Sequence, residues 1–167
     1  NFNTSNVESM KEMFYQCNQL KTINLGEFNT KYVKNMAAMF YSCSNIERLS
    51  LTKFDTENVE NMSKMFSDCR NLKYLDISSF KTPKVETMEE MFSSCTLLPS
   101  LDLSGFDTSR VTTMSLMFNY CTSLTSLDLS NFRTEQVINM YGMFAGCKVL
   151  ENLEVSKFDT SRVTNMA

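Results

Sequence analysis

The pentapeptide MFNYC, residues 117–121, decides how the rest of the chain is read, because it has five close copies. MFYQC starts at Met13, MFYSC at Met39, MFSDC at Met65, MFSSC at Met91 and MFAGC at Met143, so the motif returns at a constant 26-residue interval. A catalytic motif normally occurs once per domain. Six evenly spaced copies point to architecture.

Working outward, the same period governs every apolar residue type with a strong shape. Phe recurs at 2, 28, 54, 80, 106, 132 and 158, and Thr follows two residues later each time, from Thr4 to Thr160. Val recurs from Val7 to Val163 and Met from Met10 to Met166 at the same interval. All 13 Met, all 13 Phe and all six Cys fall in these columns, with no insertion between copies. Self-similarity at this period is the signature of a stacked repeat, and the absence of insertions leaves no room for a grafted active-site loop.

One coil reads FDTSRVTTMSLMFNYCTSLTSLDLSN from Phe106. Val111, Met114, Met117, Phe118, Cys121 and Leu124 make one apolar stripe at helical spacing. The residue before the first Met is always Ser, Asn or Thr (Ser9, Asn35, Asn61, Thr87, Thr113, Asn139, Asn165), the side chains that cap helix starts. Ser9 with Glu12, and Thr87 with Glu90, match a capping box. The pattern therefore predicts a short helix from the first Met to about the Cys. Beyond it, Leu127 and Leu129 alternate with polar residues, as in a strand with one buried face.

A unit holding one strand and one short helix cannot bury its apolar face alone, and stacking supplies the missing partner. The fold class expected is an α/β repeat: a solenoid of 26-residue coils with a parallel sheet on one face and short helices on the other. Six paired strands at about 4.8 Å each give a sheet roughly 30 Å across. Residues 1–167 read as one domain of about six and a half repeats without capping repeats, part of a longer protein.

The composition narrows function by exclusion. The chain has 167 residues, 43% apolar and 21% charged, enough for one domain with a sizeable core. A net charge of −3 argues against nucleic acid and against an acidic membrane surface. No apolar run approaches the ~20 residues of a membrane span, and the start, NFNTSNVESM, lacks the parts of a signal peptide. There is no His, and there are only four Gly and two Pro. Most acid–base, nucleophilic and zinc sites use His, and phosphate loops use clustered Gly. No enzyme, no catalytic residue and no cofactor are expected.

LTSLDLSNF (124–132) together with FDTSRVTTMSLMFNYC (106–121) resembles the BspA-like leucine-rich repeats of bacterial surface proteins, in particular their mycoplasma-lipoprotein-associated type. The likeness covers the whole chain. It implies a right-handed leucine-rich-repeat solenoid on an extracellular, usually microbial, cell surface, with a role in adhesion or binding. One departure stands out: Phe occupies the position of the usual ladder Asn, so aromatic stacking should pack the turn after the strand.

Each column has a structural and a functional reading. The Cys column (Cys17, Cys43, Cys69, Cys95, Cys121, Cys147) runs in a line, whereas zinc needs four converging ligands. Packed helices about 8–10 Å apart would also hold the thiols beyond disulfide reach, so buried free thiols are expected. Met columns beside Phe read as gap-filling core rather than a copper(I) site. The single Thr file reads as turn-stabilising hydroxyls rather than the broad Thr face of an ice-binding solenoid. Outward helix positions Ala37, Ala38, Ser115, Leu116, Tyr141 and Gly142 are lightly charged and could pack against another solenoid. Two glycosylation sequons, at Asn3 and Asn61, matter only in a eukaryotic secretory pathway.

The exposed strand face varies most. Its outward residue runs Asn24, Ser50, Asp76, Asp102, Asp128, Glu154, and the residue two earlier runs Thr22, Arg48, Tyr74, Ser100, Ser126, Asn152. Asp76, Asp102, Asp128 and Glu154 form a stripe that is a weak Ca²⁺ candidate, although a solvated sheet face explains it as well. No other metal site is indicated. Arg48 and Tyr74 bring side-chain types enriched at binding hot spots. The sequence thus points to a non-catalytic surface module that binds a protein or glycan ligand through Arg48, Tyr74, Asp76, Asp102, Asp128 and Glu154. The alternative is a structural solenoid whose partners are further copies of itself, assembled end to end or laterally into a layer, stalk or filament.

Overall fold

The computed structural model describes residues 3–167, so Phe2, the first member of the Phe column, lies outside the described residues. Stacked coils run through all of this length, and segments one repeat apart pair with each other. Four strands are formed: β1 (Arg48–Ser50), β2 (Tyr74–Asp76), β3 (Ser126–Asp128) and β4 (Asn152–Glu154). β1 pairs in parallel with β2, and β3 with β4, each residue in register with its counterpart one repeat on.

The single six-stranded sheet expected here is replaced by two two-stranded sheets. Proline explains the gap between β2 and β3, whereas segment 22–24 also forms no strand although no proline stands at the equivalent position 47. Glu47 O accepts from Lys73 N–H at 2.8 Å, and Thr125 O accepts from Glu151 N–H at 3.0 Å. The equivalent donor between them is position 99, and Pro99 has no N–H to give. Its carbonyl is also only weakly used, by Thr125 N–H at 3.4 Å.

A second parallel ladder is more continuous than the first. Six bridges join Ser9, Asn35, Asn61, Thr87, Thr113, Asn139 and Asn165, the residues read above as helix caps. Beside them, amide-to-carbonyl bonds run from Lys34 to Glu8 at 2.8 Å through to Thr164 and Ile138 at 2.9 Å.

The expected helices are absent among the described residues, and the Met-to-Cys segment is a string of turns. Cap side chains do accept from the amide two residues on, as Asn35 Oδ1 does from Ala37 at 2.9 Å, but no helix follows. Instead ten non-Gly residues at two fixed positions per coil take left-handed φ of 54–65°, among them Glu12, Ala38, Lys64, Glu90 and Leu116. The last such coil places Gly142 and Gly146 there. This conformation costs a side chain about 1–2 kcal/mol, and the hydrogen bonds show what offsets it. Each flipped amide points along the stack and donates to the next coil: Ala38 to Ser63 O and Ser42 to Ser67 O, both at 2.8 Å. A helix would turn those amides inward to its own chain and hold neighbours about 8–10 Å apart. The strand face advances about 4.8 Å per coil, so turns let both faces keep pace.

The interior is built from the columns. Val, Met, Phe, Cys and Leu of the middle coils are almost wholly buried. Phe40, Phe66, Phe92 and Phe118 stack nearly parallel with centroids 5.7–5.9 Å apart, within the range of offset stacking. The second Phe column stacks too, Phe28 on Phe54 at 6.5 Å and Phe80 on Phe106 at 6.4 Å, as the missing ladder Asn led one to expect. An amide or hydroxyl still ties this turn at the neighbouring position. Asn131 Nδ2 donates to Leu103 O and Phe106 O, and Ser79 Oγ to Leu51 O and Phe54 O.

Two columns behave differently from the sequence reading. The Thr hydroxyls do not serve their own turns. Thr30, Thr56, Thr82 and Thr108 each donate to a carbonyl and accept from an amide of one residue in the next coil. The thiols are free, but helix spacing is not the reason. Sγ of Cys69, Cys95 and Cys121 donates to Phe40, Phe66 and Phe92 carbonyls at 3.1–3.2 Å. Burial pushes the Cys43 and Cys121 thiols up to about 12 and Cys95 well above its ordinary value.

Candidate functional site

The exposed strand face carries two electrostatically different regions, divided near Tyr74. On its C-terminal side lies the acidic stripe. Asp76 Oδ1 accepts from Ser78 N–H at 3.2 Å and Ser78 Oγ at 2.8 Å. Asp102, Asp128 and Glu154 repeat the turn with Ser104, Ser130 and Ser156 amides at 3.0, 2.9 and 2.8 Å. The serine hydroxyl, then the serine amide, hold all four carboxyls below their ordinary range. Repulsion between Asp76 and Asp102, and between Asp128 and Glu154, is a smaller opposing effect. Each carboxylate is therefore engaged with its own coil, and no three of His, Cys, Asp or Glu converge to hold a metal among the described residues.

On the N-terminal side the face is cationic and open. The Arg48 guanidinium lies 4.2 Å from the Tyr74 ring centroid, a cation–π pair across the β1–β2 junction. The parallel register sets it, because Arg48 and Tyr74 are direct partners and their side chains stand on the same face. Tyr74 remains 42% exposed, and its hydroxyl donates to Asp76 Oδ2 at 3.3 Å. A cavity of about 570 Å³ opens beside this pair, between segments 22–26 and 48–54, with Thr22, Asn24, Arg48, Ser50, Lys53 and Tyr74 on its wall.

The structure thus brings Arg48, Tyr74 and Asp76 together and leaves Asp102, Asp128 and Glu154 farther along the stack. Lys53 was not singled out from the sequence. It stands in the column where Ser79 and Asn131 tie adjacent coils, and a cation in that column was the available signal. The small outward positions proposed for lateral packing are not outward: Ala37, Ala38 and Ser115 are buried, Leu116 and Gly142 half-buried, and only Tyr141 is exposed. A second apolar cavity of about 570 Å³ lies against Met140, Phe144, Leu153, Phe158 and Met166. No helix among the described residues is long and apolar enough to cross a membrane.

These features define a class: a solenoid of stacked coils with uniform interior columns and a variable outer face. The chain belongs to the family described as "Mycoplasma protein of unknown function, DUF285", whose profile matches residues 1–98 and 67–167 and so spans its full length. Among solved structures, a leucine rich cell surface protein from Faecalibacterium prausnitzii A2-165 is similar at 14% identity and a TM-score of 0.34, over 90% of this chain and 69% of that one. A chain from the Drosophila Toll–Spatzle complex is similar at 14% identity and a TM-score of 0.39. That match takes in 84% of this chain and 23% of the other, so this chain spans under a quarter of it. No curated protein matches.

Proposed function

We propose that the chain is a non-catalytic module displayed on a cell surface, where it binds a protein or glycan ligand through the Arg48–Tyr74 region of its strand face. One observation carries this. Interior columns are occupied by nearly the same residue in every coil, while the strand face changes from Thr22 and Asn24 through Arg48 and Tyr74 to the carboxylates. A rigid stack that repeats its core and varies one exposed row is suited to recognition over an extended surface. The resemblance of its repeats to BspA-like surface proteins supports the location outside the cell.

The test is a binding screen of the purified chain against arrays of surface glycans and soluble extracellular proteins, repeated with two variants. A ligand retained by Ile138→Ser, on the other ladder, and lost by the double variant Arg48→Ser/Tyr74→Ser supports the strand face. Absence of any ligand, or loss with Ile138→Ser alone, overturns it. Light scattering across a concentration range belongs to the same experiment, because growth into oligomers without a ligand would favour self-assembly instead.

A further inference from the structure

We propose that the cavity between segments 22–26 and 48–54 is a site for an acidic sugar, a carboxylate carried on a polyhydroxylated ring. The proposal rests on the binding-module reading above and names the chemical class of its ligand.

Charge supplies the first reason. The chain is net negative, and seven of its sixteen Lys and Arg residues are matched to a carboxylate, among them Lys34 with Glu8, Lys73 with Glu47 and Arg110 with Glu86. Arg48 and Lys53 both line the cavity, and neither has a carboxylate within ion-pair distance among the described residues. Lys53 Nζ hangs over Gly26, 3.8 Å from where a side chain there would begin, and so stands across the opening. Two cations flanking one concavity, each free of a local anion, are complementary to an anionic group that enters between them.

Hydrogen bonding supplies the second. Farther along the face, Asp76, Asp102, Asp128 and Glu154 are each bound to the serine two residues on. Thr22, Ser50 and Thr52 line the cavity with hydroxyls that make no hydrogen bond among the described residues. Asn24 Oδ1 accepts from Gly26 N–H at 3.0 Å, which leaves its two amide donors facing outward from the turn. Hydroxyls that both donate and accept, beside an amide, match the alternating hydroxyls of a sugar ring. They have less to offer an acidic peptide, whose side chains only accept.

Shape supplies the third. Arg48 lies against Tyr74, which fixes the planar guanidinium in place and leaves its N–H groups at the rim. A fixed planar fork is suited to a carboxylate. Tyr74 backs the guanidinium and stands half-exposed at the cavity edge.

The experiment uses tetragalacturonate, its fully methyl-esterified form and hexaglutamate as probes in titration calorimetry, with circular dichroism confirming that each variant is folded. Tetragalacturonate is expected to bind about tenfold more tightly than its ester, since the ester keeps the ring hydroxyls but replaces each charged carboxylate by a neutral methyl ester. Arg48→Gln and Lys53→Gln should each lower that affinity by about tenfold, and Arg110→Gln, at a cation paired with Glu86 away from the strand face, should leave it unchanged. Hexaglutamate should bind more weakly than tetragalacturonate. Equal binding of acid and ester, indifference to both cation variants, or equal binding of hexaglutamate would each overturn the acidic-sugar site. If tetragalacturonate fails while another array ligand is lost with Arg48→Ser/Tyr74→Ser, only this assignment falls. If the array is silent as well, the binding-module reading falls with it.

Discussion

The Thr56 hydroxyl sits between the amide and the carbonyl of Lys81 in the next coil, accepting from the first at 2.8 Å and donating to the second at 2.7 Å. One buried side chain thereby satisfies both polar groups of a backbone unit that neither ladder reaches. The same relation joins Thr30 to Asp55, Thr82 to Asp107 and Thr108 to Arg133, which explains why the column keeps a hydroxyl in every coil.

Replacing that hydroxyl by a methyl of similar size should leave two backbone groups without partners. Thr56→Val is expected to cost about 2–3 kcal/mol, and Thr56→Ser, which keeps the hydroxyl, clearly less. Urea denaturation of the two variants checks this. Equal losses would show that the methyl, not the hydroxyl, holds the column.

Ser94 separates turns from helix. Its φ is 60°, and its amide donates to Asn119 O at 2.7 Å. In a helix, Ser94→Gly would be destabilising by several tenths of a kcal/mol. In a left-handed site it relieves strain, offset by the greater freedom of the unfolded chain, for a net change between zero and about 1 kcal/mol of stabilisation. Thermal unfolding gives the sign, and far-ultraviolet circular dichroism of the parent should lack the helical double minimum.

The thiols should react in order of depth. Cys17 is exposed, Cys147 half-buried and the four between them buried. Burial raises Cys43 and Cys121 to about 12, so they stay protonated and unreactive at neutral pH, and it lifts the half-buried Cys147 as well, which slows that thiol. Labelling with an aromatic disulfide and mass analysis should show one fast site, one slower, and four released only on unfolding. Fast modification of Cys69 or Cys95 in the folded protein would contradict the buried column.

Acid should weaken the strand face. Asp76, Asp102, Asp128 and Glu154 have folded pKa values below their ordinary ones. Their contribution is complete above the unfolded values, about pH 4, and is lost as pH falls through the folded ones. Lys34, raised by Glu8, acts at the other end, its contribution lost as pH rises beyond about 10.4. Asp102→Asn should keep the turn, because Asn24 makes the same bond to Gly26. Without the charge the bond is weaker, so stability at neutral pH should fall slightly and the acid slope become shallower, as read from unfolding midpoints across pH.

Much of this is legible in the sequence. The repeat interval located the core columns, and the strand-face alternation picked out Arg48, Tyr74, Asp102, Asp128 and Glu154 as exposed, with Asp76 half-buried among them. Helical spacing misled between Met and Cys. Positions three and four apart share a face in a helix, but a chain of turns with one left-handed residue in four brings the same positions inward. The cap residues misled for a related reason, since an Asn that accepts from the amide two residues on does so whether a helix or a turn follows.

What the sequence by itself determined is the repeat, because identical apolar columns at a fixed interval can be buried only by stacking one copy on the next. Only the tertiary structure decided how the backbone runs between columns and which exposed residues meet. Backbone hydrogen bonds go wherever donors and acceptors of neighbouring coils come within reach, so coil-to-coil distance chose turns over helix and Pro99 divided the sheet. Arg48 and Lys53 flank one cavity for the same reason: stacking of successive repeats sets the Thr22 and Arg48 coils side by side, a relation that residue type alone does not carry.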